Sequence, residues 1–127
     1  MASSTEPLWL VDTSVAVALV VADHEHHDDT FERSRGRRLG LAGHAAFETF
    51  SVLTRLPAPA RRTGPVVARL LATSFPFTRF LGAKAGASLL QRLDSLGLAG
   101  GSVYDALVGA VAAEHRLPLA TRDRRAL

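Results

Sequence analysis

Apolar positions along the chain come in short runs separated by longer stretches of helical spacing. Residues 7–11 (PLWLV) are one such run, ending at Asp12, Thr13 and Ser14, residue types that favour helix entry, so the run reads as a strand. Residues 15–22 are almost wholly apolar and predict a buried helix. The charged stretch 23–33 (DHEHHDDTFER) predicts a surface helix, broken by Gly36, and residues 38–42 (RLGLA) read as a second strand. In 44–56 (HAAFETFSVLTRL), Ala46, Phe50 and Leu53 recur at helical spacing, and Pro57 and Pro59 end the helix. A helix over 65–75, opened by Gly64-Pro65, precedes a candidate third strand at 76–81 (PFTRFL). Helix 83–96 stops at Gly97, and Gly100-Gly101 form a flexible joint. Helix 103–116, apolar nearly all round until Glu114 and therefore expected to be buried, leads to a fourth strand at 118–121 (PLAT). Short strands alternating with helices predict an α/β domain, a central mainly parallel β-sheet flanked by helices.

A chain of 127 residues fits one domain over 1–127 with a real core. It stops four residues past Asp123, where such a sheet ordinarily continues, so the expectation is that a C-terminal part is missing. No apolar run approaches the roughly 18 to 20 residues that span a bilayer, so no membrane partner is expected. The first residues (MASSTEPLWL) lack the basic start of a secretory signal. Cysteine is absent, which excludes disulfides and thiolate metal sites and accords with a cytoplasmic location. The net charge is +3, and every basic residue except Lys84 is arginine. Arginine pairs bidentately with phosphate, so the charge permits a nucleic-acid partner without demanding one; base composition of the genome explains the arginine equally well.

Ligands of open α/β sheets bind beyond the carboxyl ends of the strands. Asp12 follows the first strand and Asp123 the last, and two acids on one sheet edge repel unless a cation joins them. Hard divalent ions such as Mg2+ and Mn2+ take carboxylate oxygens. Each aspartate also fits a plain cap of the turn after its strand. Asp105 opens helix 103–116 on the face of Gly109 and Ala112, where a helix N-terminus favours negative charge; Ser102 and Asp105 equally have the spacing of a capping box. Glu48 shares a helix side with Ser51 and Arg55, which a solvated face explains without any site.

The histidines point elsewhere. His24, His26 and His27 scatter around a helix and match no zinc pattern, so they read as solvated surface. His44 and His115 are isolated, with no serine or cysteine in a nucleophile motif, and no Gly-rich phosphate loop is present.

LVDTSV, starting two residues before Asp12, FETFSVLTRLP around Glu48, VYDALVGAVAAEHRLPLATRD from Val103 to Asp123, and the RRAL tail together resemble the PIN-domain family, and within it the VapC-type toxins of bacterial toxin–antitoxin pairs. The resemblance spans nearly the whole chain. It implies an acidic quartet, Asp12, Glu48, Asp105 and Asp123, around one or two Mg2+ or Mn2+ ions. It also implies a supporting hydroxyl at Thr121, with Thr13 or Ser14 behind Asp12. The implied reaction is hydrolysis of an RNA phosphodiester, in an RNA of the tRNA or rRNA class, leaving a 5′-phosphate and a 3′-hydroxyl. Arg122, Arg124 and Arg125 flank Asp123 and could hold substrate phosphates, or form a solvated tail. A homodimer and a VapB-type antitoxin are the implied protein partners. The apolar stretches 15–21 and 103–113 carry more apolar surface than so small a domain readily buries, which also suggests a dimer. The early C-terminus departs from the family pattern.

Two other readings compete. A phosphoacceptor signalling domain also places acids on a parallel sheet, but it needs a second acid beside Asp12, an acceptor aspartate after a central strand and a late lysine. Here Val11 and Thr13 flank Asp12, Arg79 lies in the central strand region, and Lys84 starts a helix. A catalytically inactive PIN-fold module that binds RNA or protein is the second; a complete quartet argues against it.

Overall fold

The computed structural model describes residues 5–122. Among these residues three parallel strands form the sheet, with β1 (Leu8–Val11) in the centre between β2 (Arg38–Leu41) and β3 (Leu119–Ala120). Val11 pairs with Leu41 on one side and with Ala120 on the other. The chain passes from β1 to β2 on one side and then crosses back to β3 on the other, so the strand order reverses at β1, and the carboxyl ends of β1 and β3 mark the switch point where open α/β sheets bind ligands.

Among the described residues six helices accompany this sheet: α1 (Thr13–Val20), α2 (His27–Ser34), α3 (His44–Thr54), α4 (Gly64–Ser74), α5 (Ala83–Arg92) and α6 (Ser102–His115). Both faces of β1 are covered. Leu10 packs with Ala42, Ala45, Val108, Val111 and Ala112, whereas Val11 packs on the other face with Val15, Ala16, Leu41 and Phe75. A strand buried on both sides needs apolar residues at consecutive positions, which is the pattern of PLWLV. A third cluster, Val21, Leu53 and Val67, joins α1, α3 and α4. Among the described residues no helix is long and apolar enough to cross a membrane.

Several sequence expectations need correction. The segment 76–81 is not a strand; it meets the sheet in one isolated bridge, Ala42 with Arg79. Phe77 and Arg79 donate their main-chain N–H groups to Leu39 and Leu41, but the Leu41 N–H is taken by the Thr78 hydroxyl at 3.0 Å. A side chain thus occupies the position that a ladder carbonyl would fill. The fourth expected strand becomes β3. Residues 23–26 form turns, leaving α2 shorter than its charged run, and α5 ends at Arg92 rather than at residue 96. On α3 the buried stripe is Ala45, Thr49 and Leu53, while Phe50 is half-exposed. Thr49 is tolerated there because its hydroxyl donates to the Ala45 carbonyl at 2.6 Å. Only Val108, Val111 and Ala112 of α6 are buried, so its wholly apolar character does not translate into burial all round.

Gly40 has a specific reason to be glycine. An added Cβ would sit 2.1 Å from the Phe77 carbonyl oxygen, a main-chain atom that cannot rotate away. Gly40→Ala is expected to push residues 77–79 off the edge of β2 and to cost about 1–3 kcal/mol by overpacking. Urea unfolding measures it; a variant as stable as the parent would show that this edge is loosely held.

Candidate active site

Asp12 is the first residue past β1 and the N-cap of α1. Its extended backbone lets the carboxylate fold back over the helix start, where Oδ1 accepts the Val15 N–H at 3.0 Å. The Ser14 hydroxyl donates to the same oxygen at 2.6 Å, and the Thr121 hydroxyl donates to Oδ2. The Asp12 main chain is fixed as well, since its N–H donates to the Ala120 carbonyl at 3.2 Å. The last turn of this network comes from Arg122, whose N–H donates to Ser14 Oγ at 3.0 Å. Ser14 therefore gives its one proton to Asp12 and receives one from the chain after β3. A carboxylate offers about four lone-pair directions, and three are taken here, so one remains open to a cation.

Thr13 faces away from Asp12: its hydroxyl donates to the Ala45 carbonyl at 3.4 Å and ties α1 to α3. Of the two hydroxyls considered behind Asp12, Ser14 is the one in contact. The guanidinium of Arg122 is turned away as well, donating to the Thr30 hydroxyl at 2.9 Å and lying 3.5 Å from Asp29.

Glu48 sits one turn into α3, which starts at the carboxyl end of β2. Its carboxylate faces His44 Nε2 at 3.3 Å, with both side chains partly exposed. His44 in turn stacks on Tyr104 with ring centroids 4.4 Å apart and planes 9° from parallel. The histidine that looks isolated in the sequence thus bridges Glu48 to the start of α6. The i,i+4 spacing of His44 and Glu48 was the available signal, but nothing local marks Tyr104 as the third member.

Asp105 lies in the first turn of α6 and is exposed. The capping box is not formed. Gly101 is the N-cap, and Ser102 Oγ is occupied with the main chain of Ala99. Among the described residues no side chain or main-chain group bonds the Asp105 carboxylate, so its capping role is gone. Because α6 leads directly into β3, it runs back along the sheet and its first turn lies at the end where β1 and β2 finish. Asp12, Glu48 and Asp105 consequently belong to one end of the domain. Among the described residues, however, no three His, Asp or Glu side chains are near enough to one another to hold a single ion. Asp123, Arg124 and Arg125 lie outside the described residues.

The surface histidines have a structural part. His27 Nδ1 lies 2.8 Å from the Ala18 carbonyl and docks α2 on α1. His24 Nδ1 accepts the His26 N–H at 3.0 Å and shapes the turn before α2.

The PIN domain family model matches residues 9–127. Ribonuclease VapC27 of Mycobacterium tuberculosis (strain ATCC 25618 / H37Rv) is 45% identical over 121 residues, covering 95% of this chain and 88% of the relative. Ribonuclease VapC40 of Mycobacterium tuberculosis (strain CDC 1551 / Oshkosh) is 40% identical over 118 residues, covering 91% of this chain and 87% of the relative. Similarity of this extent, on a parallel sheet with an aspartate at its switch point, means that the chain belongs to the PIN-domain family, among its VapC-type members.

Proposed function

We propose that the chain is a Mg2+- or Mn2+-dependent endoribonuclease toxin of the VapC type, held inactive by a VapB-type antitoxin. The observation that carries the reading is the Asp12 carboxylate, fixed at the switch point by Ser14, Val15 and Thr121 with a lone-pair direction to spare. The names of both relatives support RNA as the substrate. Asp12, Glu48, Asp105 and Asp123 would hold one or two ions, and all four offer the hard oxygens these cations prefer. When bound, such ions favour deprotonation of an attacking water and offset charge on the leaving oxygen. Ser14 and Thr121 keep Asp12 in one orientation, so little reorganisation is left for the moment of reaction. Arg124 and Arg125 are the proposed phosphate contacts. The test is incubation of the purified chain with tRNA and rRNA, with Mg2+, with Mn2+ and with EDTA. New 5′-phosphate ends that need the metal are the expected products. RNA binding without cleavage under every condition would leave a PIN-fold binding module instead.

The protein is also proposed to work as a homodimer. The stretch 15–21 is largely consumed by the core, so it is not the leftover apolar surface. Among the large apolar side chains left exposed are Phe47 and Phe80, with Phe47 65% exposed and its ring 6.0 Å from that of Phe80, and Tyr104 of the stretch 103–113. Light scattering at micromolar concentration should give twice the chain mass; a clean monomer would reject the dimer. Co-purification with a co-expressed small antitoxin tests the second partner.

A further inference from the structure

We propose that Arg122 is a positioning residue for the Asp12 carboxylate, anchored by the buried Thr30 hydroxyl, and not a contact to RNA. The proposal deepens the nuclease reading and rests on it for its kinetic readout.

Arg122 makes two bonds that pull in different directions. Its main-chain N–H donates to Ser14 Oγ at 3.0 Å, and its Nη1 donates to Thr30 Oγ1 at 2.9 Å. Between α2 and β3 lies a cleft of about 280 Å³ lined in part by Thr30, Thr121 and Arg122. The arginine side chain is thus a strut across a gap that apolar packing does not fill.

Thr30 is a deliberate anchor. It is 5% exposed, and among the described residues it shares with Thr49 the place of a buried polar side chain. The Thr49 hydroxyl is satisfied within its own helix, whereas among the described residues the Thr30 hydroxyl bonds Arg122 alone. A buried hydroxyl without a partner is costly, so Thr30 and Arg122 hold each other. Asp29, 3.5 Å from the guanidinium, adds little. It is half-exposed and also pairs with Arg33, and exposed ion pairs are weak.

What the strut holds is the chain just after β3. Thr121 supplies the donor to Asp12 Oδ2, and Arg122 N–H orients Ser14, the donor to Oδ1. Both carboxylate oxygens therefore depend on residues 121 and 122 staying where Thr30 keeps them. Nη1 is committed to Thr30, so an RNA phosphate that drew the guanidinium out of the cleft would leave that hydroxyl buried and unpaired.

The experiment uses the full chain with Arg122→Ala, Thr30→Val, the double variant and Arg122→Lys. Steady-state cleavage of RNA in Mg2+ is measured, together with hydrogen exchange of the Arg122 amide by NMR in metal-free buffer. Each single variant should lower kcat by about 10- to 100-fold, the usual effect of losing a support behind a ligand, with KM unchanged. The double variant should fall no further than the worse single one, because both remove one interaction. Arg122→Lys, which still reaches the hydroxyl, should recover part of kcat. The Arg122 amide should exchange faster in both single variants. A raised KM for Arg122→Ala with Thr30→Val silent would make Arg122 an RNA contact and overturn the proposal. Unchanged exchange would overturn it too, even if the parent protein cleaves no RNA, an outcome that would sink the nuclease reading separately.

Discussion

Asp12→Asn is expected to abolish RNA cleavage without weakening the fold. Asparagine caps a helix about as well as aspartate, so the Val15 N–H keeps its acceptor. The Ser14 hydroxyl can still donate to the amide oxygen, and the amide N–H can turn to Thr121 Oγ1, which accepts as readily as it donates. What disappears is the negative charge, and with it the pull on a divalent cation. Losing a support behind a metal ligand costs about 10- to 100-fold, so losing the ligand itself should lower cleavage by more than about 100-fold. The metal-free protein should be at least as stable as the parent, because one charge has left an end of the domain that also carries Glu48 and Asp105. Thermal unfolding in EDTA, read beside cleavage in Mg2+, separates the two effects. A variant that cleaves at the parent rate would show that Asp12 is only a helix cap. A variant that fails to fold would show that the ionised carboxylate is needed for structure; Glu48→Gln, on a partly exposed side chain, then carries the test of chemistry.

Adding Mg2+ or Mn2+ to the metal-free protein should raise its melting temperature. A ligand that binds only the folded chain stabilises it by about 2.7 kcal/mol at a hundred times its dissociation constant. For a domain of this size that is a shift on the order of 10 °C. The rise should be absent in Asp12→Asn, and Na+ at equal ionic strength controls for simple screening of charge. No shift at saturating Mg2+ and Mn2+ would mean that the acids do not share an ion. Because the measurement needs no substrate, it stands whether or not the right RNA has been found.

Local pattern and tertiary contact divided the information unevenly. PLWLV followed by Asp12 was legible because a strand buried on both faces must be apolar at consecutive positions, and because the turn that leaves it favours a capping side chain. The alternation of strand and helix, and hence the parallel α/β sheet, was legible for the same reason: burial period is a property of neighbouring residues. The third strand misled because 76–81 has strand-like composition. Whether it joined the ladder depended on Thr78, whose hydroxyl took the Leu41 N–H from more than thirty residues away. Phe50 misled in a related way. Helical spacing groups residues into faces, but which face meets the sheet is set by the partner helices, and they chose Ala45, Thr49 and Leu53.

The site shows the same division. Local pattern placed acids after the first and last strands, since strand ends can be read from a few adjacent residues, whereas Thr121, and Thr13 or Ser14, entered as supports only through the family resemblance. It left Thr13 and Ser14 undecided, because a two-residue choice turns on which way the helix starts. It read Arg122 as a phosphate contact or part of a solvated tail, and His44 as isolated. Only the tertiary structure brought Thr30 to Arg122 and Tyr104 to His44, partners separated by 92 residues in the first case. Local spacing carries the periodicity of burial and the chemistry of caps. A hydrogen bond or a ring stack between distant elements depends on how helices pack, which no short stretch of the chain encodes.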